Sequence, residues 1–598
     1  MGKIFAVAVS LFVCASFGFA QEDELFLSLE MKGDSGNFIT ESVVTKEKIE
    51  NKNNPGMLDL TASVPGIFVT KAGSQIKSDV SIRGIGDSFR QIGLFVDGRP
   101  EKMAVYGCGV SQTLLAGNID RIEVVKTPDS VLYGGDGFGG LIHVFTAVPQ
   151  NPFEAEVSAS YGSYNTQNYF ANLGGKTDKL IYQVSANKIS SDGHLSNAGY
   201  NASDYYAKFA YKTSEAGELI LTGKYFSGDE NEPKARTAAG GTIPPSWYEY
   251  DRGGVDVRYT HEFDNTNMKI MAFGDFGEHK FFDTWHSKDS IYGAFADFST
   301  ELFEGNTLKY GAEYRLSIGK VIAGNSTEKG EWKKSEFALF ALDEYEINLK
   351  TKVFAGARYN YDEISGSAFV PRAGVSYNIT EEFAARAVYS KGFRAPYINE
   401  LYTVPPHNEE LEAQYQNNYE IGINSRYLDV IFDAAAFVIN GDNIIQPRPN
   451  TPAPPMMKMQ NYGSYVFKGF ELSAEKEIVD DLKVFAGYSY LDTGDLTQGI
   501  AKNKIDASID YKICKFRFYL GAMVIMDYYA AVDKKAKLDD FNILNAKVHY
   551  SVTDNLTLFA ATDNFTDQKY EMFIVSFGSA RIYEMPGATF TFGAKYKF

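Results

Sequence analysis

Along the last dozen residues, Phe590, Phe592, Ala594, Tyr596 and Phe598 alternate with small or polar partners, and the chain stops on the aromatic. Period-two alternation places these side chains on one side of a sheet. Such a terminal strand suits a barrel whose last strand closes against its first, and lipid outside the barrel explains the aromatic face. The same pattern recurs upstream. Val353, Ala355, Ala357, Tyr359 and Tyr361 form one face of a strand whose other face is Phe354, Gly356, Arg358 and Asn360. Cys514, Phe516, Phe518 and Leu520 alternate with Lys515, Arg517 and Tyr519, and the charged set must look inward. On that reading Cys514 faces lipid and cannot pair with Cys108, so no disulfide is expected.

Connections alternate in length. Thr380-Glu381-Glu382, Asp480-Asp481-Leu482 and Thr553-Asp554-Asn555 read as tight turns, whereas Gly228 to Asp251, Asn440 to Tyr465 and Asp527 to Asp539 are long and rich in Gly, Pro and polar residues. Short turns at one end and long loops at the other are the pattern of an outer-membrane barrel. Dividing residues 151–598 by about 20 per strand plus connection gives about 22 strands, within the range of single-chain barrels. A barrel that wide has a lumen that needs a plug. Residues 38–147 differ from the rest. They mix β-like pieces (Phe38 to Val44, Val80 to Arg83, Gln91 to Asp97, Ile119 to Lys126, Leu141 to Thr146) with a helix-like stretch, Lys46 to Ala62, marked by Ile49, Leu58 and Leu60. The predicted architecture is an all-β transmembrane barrel of about 22 antiparallel strands with an N-terminal α+β plug domain inside the lumen.

Composition sharpens this picture. The 598 residues carry 39 Tyr and 44 Phe but only 3 Trp and 3 Cys, which fits aromatic girdles and an outer-membrane protein better than a soluble core. The formal net charge of −18 is spread along the chain, which argues against nucleic acid and for an acidic, solvated surface that divalent cations could bridge to anionic glycolipid. Met1-Gly2-Lys3, the apolar run from Ile4 to Phe19 and Ala20 before acidic residues read as a signal peptide, residues 1–20, discarded together with Cys14. No later segment approaches the roughly 20 apolar residues of a spanning helix, so membrane insertion requires a closed barrel.

Four ordered segments then carry a resemblance. Asp59 to Ile67 contains Val64-Pro65-Gly66-Ile67, Ser81-Ile82-Arg83-Gly84 follows, then Val96-Asp97-Gly98, then Arg121-Ile122-Glu123 through Tyr133-Gly134 and Gly139-Gly140-Leu141-Ile142-His143-Val144. In order and spacing they resemble the plug landmarks of TonB-dependent outer-membrane receptors. The barrel adds Gly392-Phe393-Arg394-Ala395-Pro396, Asn399-Glu400-Leu401-Tyr402, Asp563 to Tyr570, and Pro586-Gly587. His143 stands where the family usually has Asn, and Lys126-Thr127 replaces the usual Arg-Gly before Pro128. Gly134, Gly135, Gly137, Gly139 and Gly140 suit a tight loop with close backbone approach. Arg83, Arg121 and Glu123 read either as solvated surface charges or, inside a plug, as charges buried against the barrel wall that must be paired.

The resemblance implies active import without a resident cofactor: external loops bind a scarce, bulky ligand, and the periplasmic TonB protein pairs with an N-terminal segment as an added strand. Within a periplasmic segment at 21–37, Glu24-Leu25-Phe26-Leu27-Ser28-Leu29 is the candidate coupling strand. Residues 38–148 are read as the plug and 149–598 as the barrel. The ligand is expected to be an iron complex, siderophore or haem, with cobalamin or copper as alternatives. His407 lies between the Phe393-Arg394-Ala395-Pro396 box and Asn408-Glu409-Glu410-Leu411, where haem receptors of the family place a ligating histidine; a plain solvent-facing loop histidine is the other reading. Met103 and Cys108, with Met456, Met457 and Met459, form a soft-ligand set suited to Cu(I) or haem iron, or else an apolar lining. Asp192, Asp229 and Glu230 could serve a hard cation, and Trp247, Tyr248, Tyr250 and Trp285 could line a binding basin. A passive porin has no use for the plug signatures, and no catalytic triad or carboxylate pair at convincing spacing supports an enzyme.

Overall fold

The computed structural model describes residues 41–598, apart from 54–55, 75, 87–89, 326–327, 404–405, 451–455 and 577–578. Twenty-two long antiparallel strands, from Glu154–Gly162 to Thr589–Lys597, pair in chain order into a closed barrel; the two-residue piece Lys537–Leu538 is added beside Phe516–Tyr529. Closure is made by the two ends of the barrel sequence, in register from Thr591 opposite Gly162 to Lys597 opposite Glu156. The Phe598 amide continues the ladder by donating to the Ala155 carbonyl at 2.9 Å. A closed barrel pairs every backbone donor along its wall, which is what a hydrocarbon environment demands.

Side-chain alternation follows the expected faces. Phe590 and Phe592 are 51% and 61% exposed on the outside. Tyr359 and Tyr361 point outward while Phe354, Arg358 and Asn360 are buried inward. Phe516, Phe518 and Leu520 are also outside, and Arg517 turns inward to Asp510 at 2.6 Å. Cys514 departs from its expected place. It sits not on a lipid-facing strand but in the two-residue turn before Phe516, at φ 53°, exposed at the short-turn end. Cys108 and Cys514 are both free.

The three expected tight turns lie together at the short-turn end, between Asn378 and Phe383, Val479 and Leu482, and Ser551 and Leu556. The three long connections lie at the opposite end and are trimmed only at their edges by barrel strands. The strands Gly217–Glu232 and Ser246–Glu262 take up the two ends of Gly228 to Asp251, and Phe516–Tyr529 runs past Asp527. These polar ends are strand because paired strands project beyond the apolar band into water, where polar side chains cost nothing. Between Asn440 and Tyr465 a hairpin, Ile445–Asn450 with Met456–Asn461, stands on the rim. Ala235–Thr237 and Thr242–Ile243 join Glu571–Ser576 and Ser579–Glu584 in a four-stranded sheet built from two different long loops.

The plug is a five-stranded sheet in the order Glu41–Thr45, Ile119–Val125, Leu141–Thr146, Gly93–Val96, Arg99–Pro100, with the third and fourth strands parallel. A separate hairpin pairs Ile67–Lys71 with Ser78–Ile82. Val44, Ile67, Ile82, Ile122, Val124 and Ile142 close its core. The helix-like stretch from Lys46 to Ala62 is two short pieces instead, Lys46–Glu50 and the 3-10 turn Leu58–Thr61. Thr45 caps the first by accepting from the Lys48 amide at 3.4 Å. It ends at Glu50 with Asn51 as its cap, the Asn51 amide donating to the Glu47 carbonyl at 3.3 Å, and Asn is a poor helix former.

Candidate functional site

The landmark residues assemble where the plug meets the wall. Arg83 turns the chain at φ 52°, followed by Gly84 at φ 82°, and its side chain is 1% exposed. Its guanidinium donates to Glu471 at 2.8 and 3.2 Å and to Glu420 at 2.6 Å, and lies 4.1 Å above the Phe437 ring. Lys126 reaches the same Glu471 at 2.9 Å and the Pro65 carbonyl at 3.0 Å. Gly66, at φ 81°, is required here, because a Cβ would stand 1.9 Å from a Glu471 carboxylate oxygen. Burial alone would favour loss of the Arg83 charge, but the two glutamates hold it firmly protonated.

Asp97, at φ 48° before Gly98, accepts from the Thr146 amide at 3.0 Å and hydroxyl at 2.7 Å, from the Tyr206 hydroxyl, and pairs with Lys208 at 3.0 Å. Burial would raise its carboxyl, yet Lys208 and these donors keep it below the usual carboxylate range. Tyr133 packs on Phe95 with ring centres 5.1 Å apart. Gly134, at φ 60°, lets the wall residue Arg358 come so close that a Cβ would meet Nη2 at 2.9 Å. Arg121 and Glu123 meet within the plug. They pair with each other at 2.7 Å, with Arg121 over the Phe145 ring at 3.8 Å, and neither of these contacts reaches the wall.

Sequence reasoning missed the partners. Asp129 pairs with Arg372 at 2.7 Å, Asp136 with Arg315 at 2.6 Å, and Arg99 with Asp275. The signal that could have found them is the run of charged residues on inward strand positions, since a buried charge requires a partner. At the long-loop end Lys77 of the plug pairs with Glu232 at 2.9 Å, and Arg581 and the Tyr583 hydroxyl of the last long loop converge on the same carboxylate. At the short-turn end a cavity of about 790 Å³ separates plug from wall, bordered by Glu50, Lys52, Asn168, Asn187, Lys547 and Lys595.

The sequence-derived ligand candidates are dispersed around the long-loop mouth. Met103 is 4% exposed in an apolar cluster with Ile76, Val110, Phe226 and Tyr250, and Cys108 packs beside it. Burial pushes the Cys108 thiol up to about 11, so it is a thiol and not a thiolate at neutral pH. Met459 belongs to a different cluster, with Leu401, Leu411 and Ile445. The side chains of Met456 and Met457 lie outside the described residues. Adjacent Trp247 and Tyr248 point opposite ways, as strand neighbours do: Trp247 is 41% exposed, while Tyr248 is buried with the Lys77 ammonium 3.8 Å from its ring centre. Trp285 packs at a tilt against Tyr106 of the plug with ring centres 5.3 Å apart, and Trp332 lies parallel to Tyr402 at 5.6 Å. His407 is half-exposed, its Nδ1 3.2 Å from Glu328 and Nε2 3.8 Å from Glu409. Among the described residues no three His, Cys, Asp or Glu side chains are grouped to hold a metal ion. Glu24 to Leu29 lie outside the described residues.

A wide closed barrel filled by a folded plug, with Arg83 and Asp97 of the plug ion-paired to the wall, defines a plugged-barrel receptor. The chain matches the family description "TonB dependent receptor-like, beta-barrel" over residues 149–565 and "TonB-dependent Receptor Plug Domain" over 38–141. It belongs to the TonB-dependent receptors. A vitamin B12 transporter of Photobacterium profundum is 24% identical, covering 88% of this chain and 89% of that protein. An iron-regulated outer membrane virulence protein of Vibrio cholerae is 24% identical, with 88% of each chain covered. In fold the chain is similar to the ferric enterobactin receptor of Pseudomonas aeruginosa, at TM-score 0.79 and 16% identity over 95% of this chain and 99% of that one. It is similar also to the ferric yersiniabactin uptake receptor of Yersinia pestis, at TM-score 0.81 and 14% identity over 94% and 98%.

Proposed function

We propose that the chain imports an iron complex, a ferric siderophore or haem, across the outer membrane of a Gram-negative (diderm) bacterium, driven by the periplasmic TonB protein. The observation that carries this reading is the ion-paired plug filling the lumen, centred on Arg83, Glu420 and Glu471. A passive channel gains nothing from an obstruction so firmly charged and paired, whereas an energised receptor needs a lumen shut until work is done on it. The long-loop end is then external, and residues 1–20, 21–37, 38–148 and 149–598 are the signal peptide, the coupling segment, the plug and the barrel. Residues 24–29 are assigned to the strand added to TonB.

The iron-complex reading takes support from relatives described as iron-regulated and from fold neighbours described as ferric siderophore receptors. Cobalamin is the second reading, supported by the vitamin B12 transporter at the same identity. The separation of Met103 from Met459 and the protonated Cys108 weaken a copper site. Purified protein titrated with ferric siderophores, haem, cobalamin and copper tests the assignment. Saturable binding of an iron complex is expected; tight binding of cobalamin alone would replace it.

A further inference from the structure

The barrel wall is not uniform around the plug. Wall charges buried in ion pairs with it, among them Lys208, Asp275, Arg315, Arg372, Glu420 and Glu471, lie on strands from Tyr200–Ser214 round to Ser464–Val479. The first three barrel strands, Glu154–Gly162, Thr166–Lys176 and Leu180–Ser191, are built differently. Val157, Tyr161, Tyr169, Leu173 and Val184 are exposed on their outer face, so alternation turns Ser158, Ser160, Asn168, Asn172, Gln183 and Asn187 to the lumen. These six side chains are uncharged. Gln183 meets the plug through a neutral hydrogen bond, its amide donating to Asn118 Oδ1 at 2.7 Å. Gln183 and Asn187 are 1% and 7% exposed, yet Gln183 Oε1, Asn187 Oδ1 and Asn168 Oδ1 find no hydrogen-bond partner among the described residues.

The cavity of about 790 Å³ lies against these strands and runs the height of the first of them. Its lining reaches from Asn555 and Lys597 at the short-turn end to Ser163, in the connection at the top of Glu154–Gly162. There Met572 and Met585 of the last long loop cover it, packed in an apolar cluster with Phe68 and Ala72 of the plug. The plug chain at Gly117 leans on the same wall: a Cβ there would stand 3.0 Å from the Phe170 ring and 3.2 Å from Asn187 Nδ2. Buried amides require partners, and water in a polar crevice supplies them. A lining that binds weakly lets a solute leave as well as enter, whereas a row of fixed charges would hold a charged complex. We propose that this crevice is the ligand's route past the plug: the chain at Gly117 moves off the wall and the complex passes over Ser160, Asn168, Asn172 and Asn187, while the ion-paired strands keep their hold. The proposal rests on the import reading above.

The test uses the full receptor with Cys108→Ser and Cys514→Ser, carrying one of two disulfide pairs. Gly117→Cys with Asn187→Cys ties the plug across the crevice; Val105→Cys with Gly319→Cys ties it on the ion-paired side, where a Cβ on Gly319 would stand 2.9 Å from Val105 Cγ2. Cells are given radioiron as ferric enterobactin, ferric yersiniabactin and haem. The oxidised crevice pair is expected to bind as before and to import at least tenfold less than the same protein reduced, whereas the oxidised Val105–Gly319 pair imports as its reduced form does. Equal import by the crevice pair oxidised and reduced, or an equal block by both pairs, would overturn the route. A measurement without ligand decides it a second time. In the folded receptor in detergent, Ser160→Cys and Asn172→Cys should react with a small hydrophilic thiol reagent at least tenfold faster than Ser317→Cys and Ser376→Cys, buried positions on the ion-paired strands. Equal rates would mean a dry crevice and no route. Import absent from oxidised and reduced forms alike would count against the import reading instead, with the reaction rates still deciding the route.

Discussion

Arg83 of the plug and Glu471 of the barrel wall, 388 residues apart, form a buried ion pair at 2.8 Å. With Glu420 and Lys126 it makes a four-residue knot that fixes how the plug sits in the lumen. Removing one partner of a buried pair leaves an uncompensated charge, which typically costs about 3–5 kcal/mol. Arg83→Met is therefore expected to loosen the plug and admit large antibiotics that the wild type excludes. Antibiotic sensitivity of expressing cells checks this. Arg83→Met combined with Glu471→Gln should restore part of the exclusion, and an Arg83→Met strain as resistant as wild type would show that the knot does not hold the plug.

His143 supplies a pH dependence. Burial beside Phe95, Tyr133 and Phe145 pushes its imidazole down to about 3, well below the ordinary 6.5. Because the folded value is the lower one, the unfolded plug binds more protons between the two values. Its contribution to stability is complete above pH 6.5 and declines as pH falls toward 3, by at most about 1.4 kcal/mol per pH unit. His143→Asn is expected to flatten that part of the stability profile, measured by hydrogen exchange of the plug across the acid range. Identical slopes for variant and wild type would refute a neutral buried histidine.

The barrel's outward alternation was legible in the sequence within the strands, because lipid imposes a single rule on every second residue, as at Phe590 and Phe592; it failed at Cys514, where the strand had already ended in a turn. Most plug strands were legible for a similar reason, as short apolar runs bounded by Gly and Pro, but Ile67–Lys71 was not among them. What escaped were effects of distance. Nothing local tells Arg83 that its partners are Glu420 and Glu471, or that Arg121 will turn to its neighbour Glu123. Trp247 and Tyr248 looked equivalent as basin residues until strand pairing turned one outward and the other toward Lys77. The helix from Lys46 to Ala62 was overextended because three apolar marks outweighed an Asn-Pro-Gly break that local chemistry should have given priority.

Closure of the barrel depends on its final residues. Lys595 joins Glu50 of the plug at 3.0 Å and Glu156 of the first strand at 3.3 Å, and Phe598 ends the ladder. Deleting Phe598 is expected to cut the yield of heat-modifiable protein in the membrane several-fold. Undiminished yield would show that the terminal aromatic is dispensable.

His407 is the direct check on haem. With Glu328 and Glu409 beside its two nitrogens, it stands exposed in the mouth. If haem is the ligand and His407 an axial donor, titration should shift the Soret band, and His407→Ala should weaken the shift. A siderophore takes precedence if haem gives no shift at all.

Energised uptake tests the central claim most directly. Iron-starved cells expressing the receptor are given radioiron as ferric siderophores and as haem, with and without TonB and with Leu27→Pro, which removes a backbone donor and fixes φ in the coupling segment. Accumulation of one iron complex is expected only with TonB and the native segment, while Leu27→Pro binds that complex normally and imports none. Accumulation that persists without TonB, or no accumulation of any iron complex while cobalamin enters, would contradict it.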